Sequence, residues 1–236
     1  MRKVLALSVF ACLFAIGAQA APAGPPRMAV FDFTNSTSAA WWYGGVGRDL
    51  ADMLTNELAS TEKFKMIERK QLGAVMGEQD LALAGAVKKD TAAKAGKLTG
   101  AQYIVTGQVS AYEENVGAKG GGIGFKGISV GGKKEEAYIA IDLRVVDTTT
   151  GEVSFTRTVE ARSKSTGIAV GVDRGGVSAG FGKMEKTPAG KAIRACLIEI
   201  SEYLACKMVD KGACLDEYAA KEKARRDKTK GKVKLD

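Results

Sequence analysis

Apolar residues along this chain recur with two different periods. In Arg27–Phe33 they bunch into a short strand. In Asp49–Ser60, Leu50, Met53, Leu54 and Leu58 fall on one face of a helix. Phe64–Ile67 reads as a second strand and Lys70–Asp80 as a helix. Asp90 is placed to cap a further helix through Lys97, ended by Gly100. Tyr103–Tyr112 and Ala137–Val146 are strands. Asp147–Gly151 is a turn, and Glu152–Ala161 the strand that follows it. Thr187-Pro188 opens a long helix, because proline suits a first helical turn, and Ile193, Leu197, Ile200 and Leu204 form its apolar stripe. This order of elements predicts an α/β (α+β) domain.

Two segments break the pattern. Eight glycines lie in 117–132 and six in 167–182, out of 29 in 236 residues. Between them apolar residues alternate with small ones: Ile123 and Phe125, then, past Lys126-Gly127, Ile128 and Val130. The second segment is cleaner. Ile168, Val170 and Val172 share one parity. After the turn signal Asp173-Arg174-Gly175-Gly176, Val177, Ala179 and Phe181 share the other. A parity switch across a turn keeps one apolar face on one side of a hairpin. The opposite face carries Gly, Ala and Ser rather than charge. That fits a membrane-barrel strand, apolar toward lipid and small or polar toward a lumen, better than a soluble sandwich strand. Two hairpins are expected, at about 116–136 and 163–186, inserted beside strands of one sheet. Flexible glycine-rich surface loops are the competing reading.

Met1-Arg2-Lys3, the apolar run Val4–Ile16 and the small residues before Ala21 read as a secretory signal peptide cleaved after Ala20. Its loss takes two positive charges from the +8 total. Export puts Cys196, Cys206 and Cys214 where disulfides form. Cys206 and Cys214 can bridge if the helix ends near Gly212, and Cys196 reads as a core residue. Residues 210–236 read as a charged helix and a basic tail. The export signal argues against nucleic acid as its partner.

The chain has no histidine. That excludes a Ser-His-Asp triad, a Cys-His pair and a His-ligated zinc site. Gly122–Gly127 matches G-x-G-x-x-G, but no helix is expected after it, so it is not a dinucleotide site. No enzyme, no cofactor and no metal is expected.

Taken together, Met66–Gln79 (MIERKQLGAVMGEQ), Ala101–Gly124 (AQYIVTGQVSAYEENVGAKGGGIG) and Ile141–Val153 (IDLRVVDTTTGEV) resemble the CsgG family, the outer-membrane secretion channel of curli fibres. The resemblance runs over roughly Arg27–Val209, and the glycine-rich segments fall where that family has its two transmembrane hairpins. It implies a homo-oligomeric ring in outer-membrane lipid with its α/β domain in the periplasm. Four strands per chain cannot close a barrel that needs about 8, whereas about nine subunits would give the ~36 of the largest known. The implied activity is ATP-independent export of unfolded polypeptide, a fibre subunit or surface adhesin, with a periplasmic accessory factor as a possible further partner. In the family a loop after the first strand narrows the pore. Here that loop is Thr34–Gly45, with Trp41, Trp42 and Tyr43, Tyr43 being the nearest counterpart of the family's constriction tyrosine. An aromatic patch for subunit packing is the other reading of these three. The alternative for the whole chain is a soluble periplasmic binding or regulatory module of an envelope assembly.

Overall fold

A computed structural model describes residues 24–117, 123–125, 128–170 and 187–232. Its strands are β1 (Arg27–Val30), β2 (Thr34–Asn35), β3 (Lys65–Met66), β4 (Tyr103–Gly117), β5 (Ile123–Phe125), β6 (Ile128–Asp147) and β7 (Val153–Val170). Its α-helices are α1 (Val46–Ser60), α2 (Leu72–Leu83), α3 (Pro188–Ala205) and α4 (Cys214–Lys230). β1 lies parallel between β3 and β4; β4, β6 and β7 then follow antiparallel in one mixed sheet. The expected α+β domain is the fold found.

The two periods explain the layers. Alternate residues of β6 (Ile139, Ile141, Leu143, Val145) are buried, with Val105 and Val109 of β4 and Val159 of β7. Leu50, Leu54 and Leu58 of α1 and Ile193, Leu197, Ile200 and Leu204 of α3 close over them, all fully buried. α3 covers β6 and β7 and packs beside α1. Each such side chain contributes roughly 1.5–3 kcal/mol on burial. The other face of the sheet is polar. Thr106, Gln108, Asp142, Arg144 and Thr158 line a hollow of about 600 Å³ there.

Helix ends follow their signals. The Thr187 hydroxyl accepts from the Gly190 N–H at 3.1 Å, and Pro188 takes the first turn of α3. α3 runs into a single π-helical turn, Cys206–Asp210. The chain then reverses through Lys211, left-handed at φ 49°, and a Cys206–Cys214 disulfide ties the root of α4 to the end of α3. Cys196 is a free, buried core cysteine.

Two expectations change. No helix forms over Asp90–Lys97; the segment is a string of turns. Its apolar residues are alanines that bury little, and a helix this short is not stable in water without a packed face. α2 starts and ends later than the pattern suggested and buries none of its residues, leaving Met76, Leu81 and Leu83 exposed. The charged C-terminal segment is helical to Lys230. The expected signal peptide, residues 1–20, lies outside the described residues.

Candidate functional site

Two features converge at one end of the sheet: strands that outrun the helices, and the loop between β1 and α1.

The extension is read from the ladder. β4 and β6 stay paired to Gly117↔Lys134, and β6 and β7 to Val130↔Val170. β5 pairs with β6 from Ile123↔Val130 to Phe125↔Ile128, on the side of β6 that β4 occupies lower down. Positions 116, 136 and 163, where the alternating segments begin and end, lie within about two rungs of one another, since Val116 pairs with Glu135, Glu136 with Lys164 and Ala137 with Ser163. From that level β6 continues about 20 Å to the Val130 rung, at about 3.3 Å per residue.

Parity changes at the same level. Within the domain the odd-numbered positions of β6 lie beneath the helices, Ile139 and Ile141 among them. Beyond it the apolar residues occupy even positions, Ile128 and Val130, and the odd positions are Ser129, Gly131 and Lys133. β7 does the same: Val159 is buried below, while Ile168 and Val170 are the apolar positions above. Register places Ile123, Val130 and Val170 on one rung and pairs Phe125 with Ile128. Six of the expected lipid-facing positions (Ile123, Phe125, Ile128, Val130, Ile168, Val170) are therefore in paired strands. Val172, Val177, Ala179 and Phe181 lie outside the described residues.

Charge clusters at the level where the parity switches. Glu136 pairs with Lys164 at 3.5 Å and Arg162 at 3.9 Å, and the Arg162 guanidinium lies 4.5 Å from the centre of the Tyr138 ring.

The loop sits just below. Its base is close-packed: Phe33 N–H donates to the Gly47 carbonyl at 3.0 Å, and the Phe33 ring lies over Gly107, where a Cβ would collide with it. β2 then pairs with β4 at Gln108 and Val109. Asn35 folds the chain back, its Oδ1 accepting from the backbone N–H of Thr37 at 2.9 Å and from its hydroxyl at 2.7 Å. Gly45 turns into α1 at φ 101°, a conformation that suits glycine. Trp41 packs edge-on against Trp42 and Tyr112, with ring centres 5.7 and 5.4 Å apart. Both tryptophans are half-buried against the core; Tyr43, 42% accessible, is the exposed member. Tyr112 pairs with Ile139, so the loop stands on the helix-bearing face. Burial and the Glu114 carboxylate, 2.7 Å from its hydroxyl, push the Tyr112 phenol up.

Thus the three aromatic residues of the loop are brought together but do different work: the tryptophans pack and the tyrosine is presented. Tyr112 was not singled out from sequence; it reads there as one more strand residue. Among the described residues no group of His, Cys, Asp or Glu is placed to hold a metal ion, and no helix is long and apolar enough to cross a membrane.

The sequence matches the family model described as curli production assembly/transport component CsgG over residues 9–233. It is 28% identical over 143 residues to the protein of that description from Salmonella typhimurium, covering 56% of this chain and 52% of that one. The same figures hold for the Escherichia coli K12 protein of the same description. The chain thus spans about half the length of these relatives. Among solved structures, the hypothetical protein CT253 from Chlamydia trachomatis is similar at a TM-score of 0.43 and 13% identity, over 78% of this chain and 97% of that one. With the family's description matched over nearly its whole length, this chain belongs to the CsgG family.

Proposed function

We propose that this protein is an oligomeric outer-membrane channel that exports unfolded polypeptide, without ATP, from periplasm to cell surface. The observation that carries the reading is the joint departure of β4, β6 and β7 from the domain, with apolar parity reversing along β6 and β7 beyond it. A soluble extension would keep its apolar residues on the face the helices cover. In the channel the even positions of β6 and β7 meet lipid, and the odd ones, small or polar, line the lumen. Each chain supplies two hairpins, 116–136 and 163–186. About nine chains would close a barrel of ~36 strands and leave no open edge in lipid.

Within the ring, the Thr34–Gly45 loop stands on the face that continues into the lumen, directly below the strand extensions. Tyr43 is the side chain offered to the pore, while Trp41 braces the loop against Tyr112 of β4 and Trp42 packs edge-on to Trp41. A belt of tyrosines would hold an extended chain loosely and exclude a folded one. The cargo is an unfolded fibre subunit or adhesin, and a periplasmic accessory factor is a further expected partner.

The test is to express the full chain, extract outer membranes in mild detergent, and size the particles by native gel and negative-stain microscopy. Rings of about nine subunits with a central hole are expected. A periplasmic monomer or dimer would overturn the channel and leave a soluble envelope module.

A further inference from the structure

α4 has a position that the channel alone does not require. Its residues meet β7 in a regular order. The Tyr218 carbonyl accepts from Arg157 Nη1 at 3.3 Å. Arg225 Nη1 reaches Glu160 Oε1 at 3.4 Å. Lys228 then lines a cleft with Ala161. Seven helical residues from Tyr218 to Arg225 advance about 10 Å, and so do three strand residues from Arg157 to Glu160. α4 therefore runs alongside β7 in the direction of the strand extension. Continued at that pace, its end at Lys230–Lys232 stands level with Arg162–Ser163, about the rung at which the strands leave the domain.

Unpaired lysines gather toward the upper end of α4, with Lys223 the one lower down that carries no ion pair among the described residues. Lower on the helix, Lys221 pairs with Glu199 and Glu217, and Arg225 and Arg226 with Glu222. At the top, Lys228, Lys230 and Lys232 are exposed and have no ion pair among the described residues. Asp227 is the one acidic residue among them from 227 to 232. Lysines at a helix C-terminus gain a few tenths of a kcal/mol from the dipole, but that does not call for three of them free of partners at this height.

We propose that the upper end of α4 is a docking surface for anionic phospholipid headgroups at the periplasmic face of the membrane. The inference rests on the strand extensions entering a bilayer, and it adds the lipid class that this edge of the domain recognises. Lys228, Lys230 and Lys232 sit at headgroup level. Their partners are phosphate oxygens bearing net negative charge; the Arg157 and Glu160 contacts hold α4 beside β7, and the disulfide ties its root to the end of α3, so that they stay there. The attraction is electrostatic and falls with ionic strength.

The experiment uses the full chain with vesicles of phosphatidylcholine, with and without phosphatidylglycerol, and reads binding by flotation at low and high salt. Wild type should prefer the anionic vesicles, and salt should erase the preference. Replacing Lys228, Lys230 and Lys232 together by Gln should weaken anionic binding by about fivefold per lysine, of the order of 100-fold in all, and leave binding to neutral vesicles unchanged. The triple Arg variant should bind as wild type. Lys88, Lys89 and Lys94 changed together to Gln remove the same charge from the segment beyond α2 and should have no comparable effect. The inference is overturned if wild type shows no anionic preference, if the Gln triple binds as wild type, or if the control triple loses as much. It is also overturned if the Gln triple keeps its lipid preference but falls to monomers on a native gel, which would make this face a contact with a second copy. Carbonate extraction scores insertion separately. Salt-sensitive anionic binding that carbonate strips off would sink the channel and leave the headgroup contact standing.

Discussion

Arg157 holds α4 to the sheet. Its guanidinium lies 4.4 Å from the centre of the Tyr203 ring on α3 and 4.9 Å from that of Tyr218 on α4. Nη1 donates to the Tyr218 carbonyl, and Nε is buried with no hydrogen-bond partner. Each cation–π contact contributes about 0.5–2 kcal/mol depending on desolvation. A hydrogen bond from a charged donor contributes about 1.5–3 kcal/mol, and an unsatisfied buried donor costs about 1–3 kcal/mol. Arg157→Ala should therefore lower the free energy needed to undock α4 by about 2–3 kcal/mol, which raises the opening equilibrium roughly 30- to 150-fold. Trypsin reads this directly on the full chain in detergent. It cuts at Lys221–Lys230 only when α4 lifts away, and its rate follows the open population when opening is fast. Arg157→Met keeps most of the apolar stem and removes the charge; it should be nearly as labile as Ala. A rise below about threefold for Ala would refute the clamp. Met as resistant as wild type would show that the unpartnered Nε cancels what the rings and the carbonyl contribute.

Gly107→Ala drives a methyl group into the Phe33 ring and should cost about 1–3 kcal/mol in thermal unfolding, whereas Gly44→Ala, with open space around it, should be neutral in the same melt. Under the channel reading, Tyr43→Ala should raise single-channel conductance and leave the ring intact, while Trp41→Ala, which strips the packing on Tyr112, should lower the yield of rings on a native gel. Arg at Val170 or Val177 should hinder membrane assembly, a lipid-facing charge costing about 2–4 kcal/mol at mid-bilayer; normal assembly of both variants would count against the hairpins. Arg225 and Arg226, on the same helix, hold the Glu222 carboxyl down to about 2, so its contribution to helical α4 is complete above the ordinary value of 4.5 and is lost as pH falls from there toward 2; clipping of α4 by an acid-stable protease should rise across that window and not above it. Burial pushes the Cys196 thiol up to about 12, so it should resist maleimide at neutral pH until the chain is unfolded. Opening the Cys206–Cys214 loop with paired Ser substitutions should cost about 2.5 kcal/mol in the same unfolding assay.

The alternation and helical stripes of this sequence determined the strands β4, β6 and β7, the helices α1 and α3 and the faces they bury, because burial follows period two or 3.6 along the chain itself. Thr187-Pro188 marked the start of α3 for an equally local reason. Where no apolar face backed the signal, local reading failed. Asp90 offered a cap, but the alanines after it had nothing to pack against, so no helix formed. The site was legible in pieces: the alternating Ile168 and Val170, and the cluster Trp41, Trp42 and Tyr43. Only the tertiary structure decided how the pieces relate. Register across three strands set both ends of the first segment and the start of the second close to one level, where the apolar parity reverses. Packing on Tyr112 separated the braced tryptophans from the exposed tyrosine. Contacts between residues as far apart as Glu160 and Arg225 set the height of the basic end of α4. Relations of this kind are distances between segments remote in the chain, and they exist only once the sheet has paired.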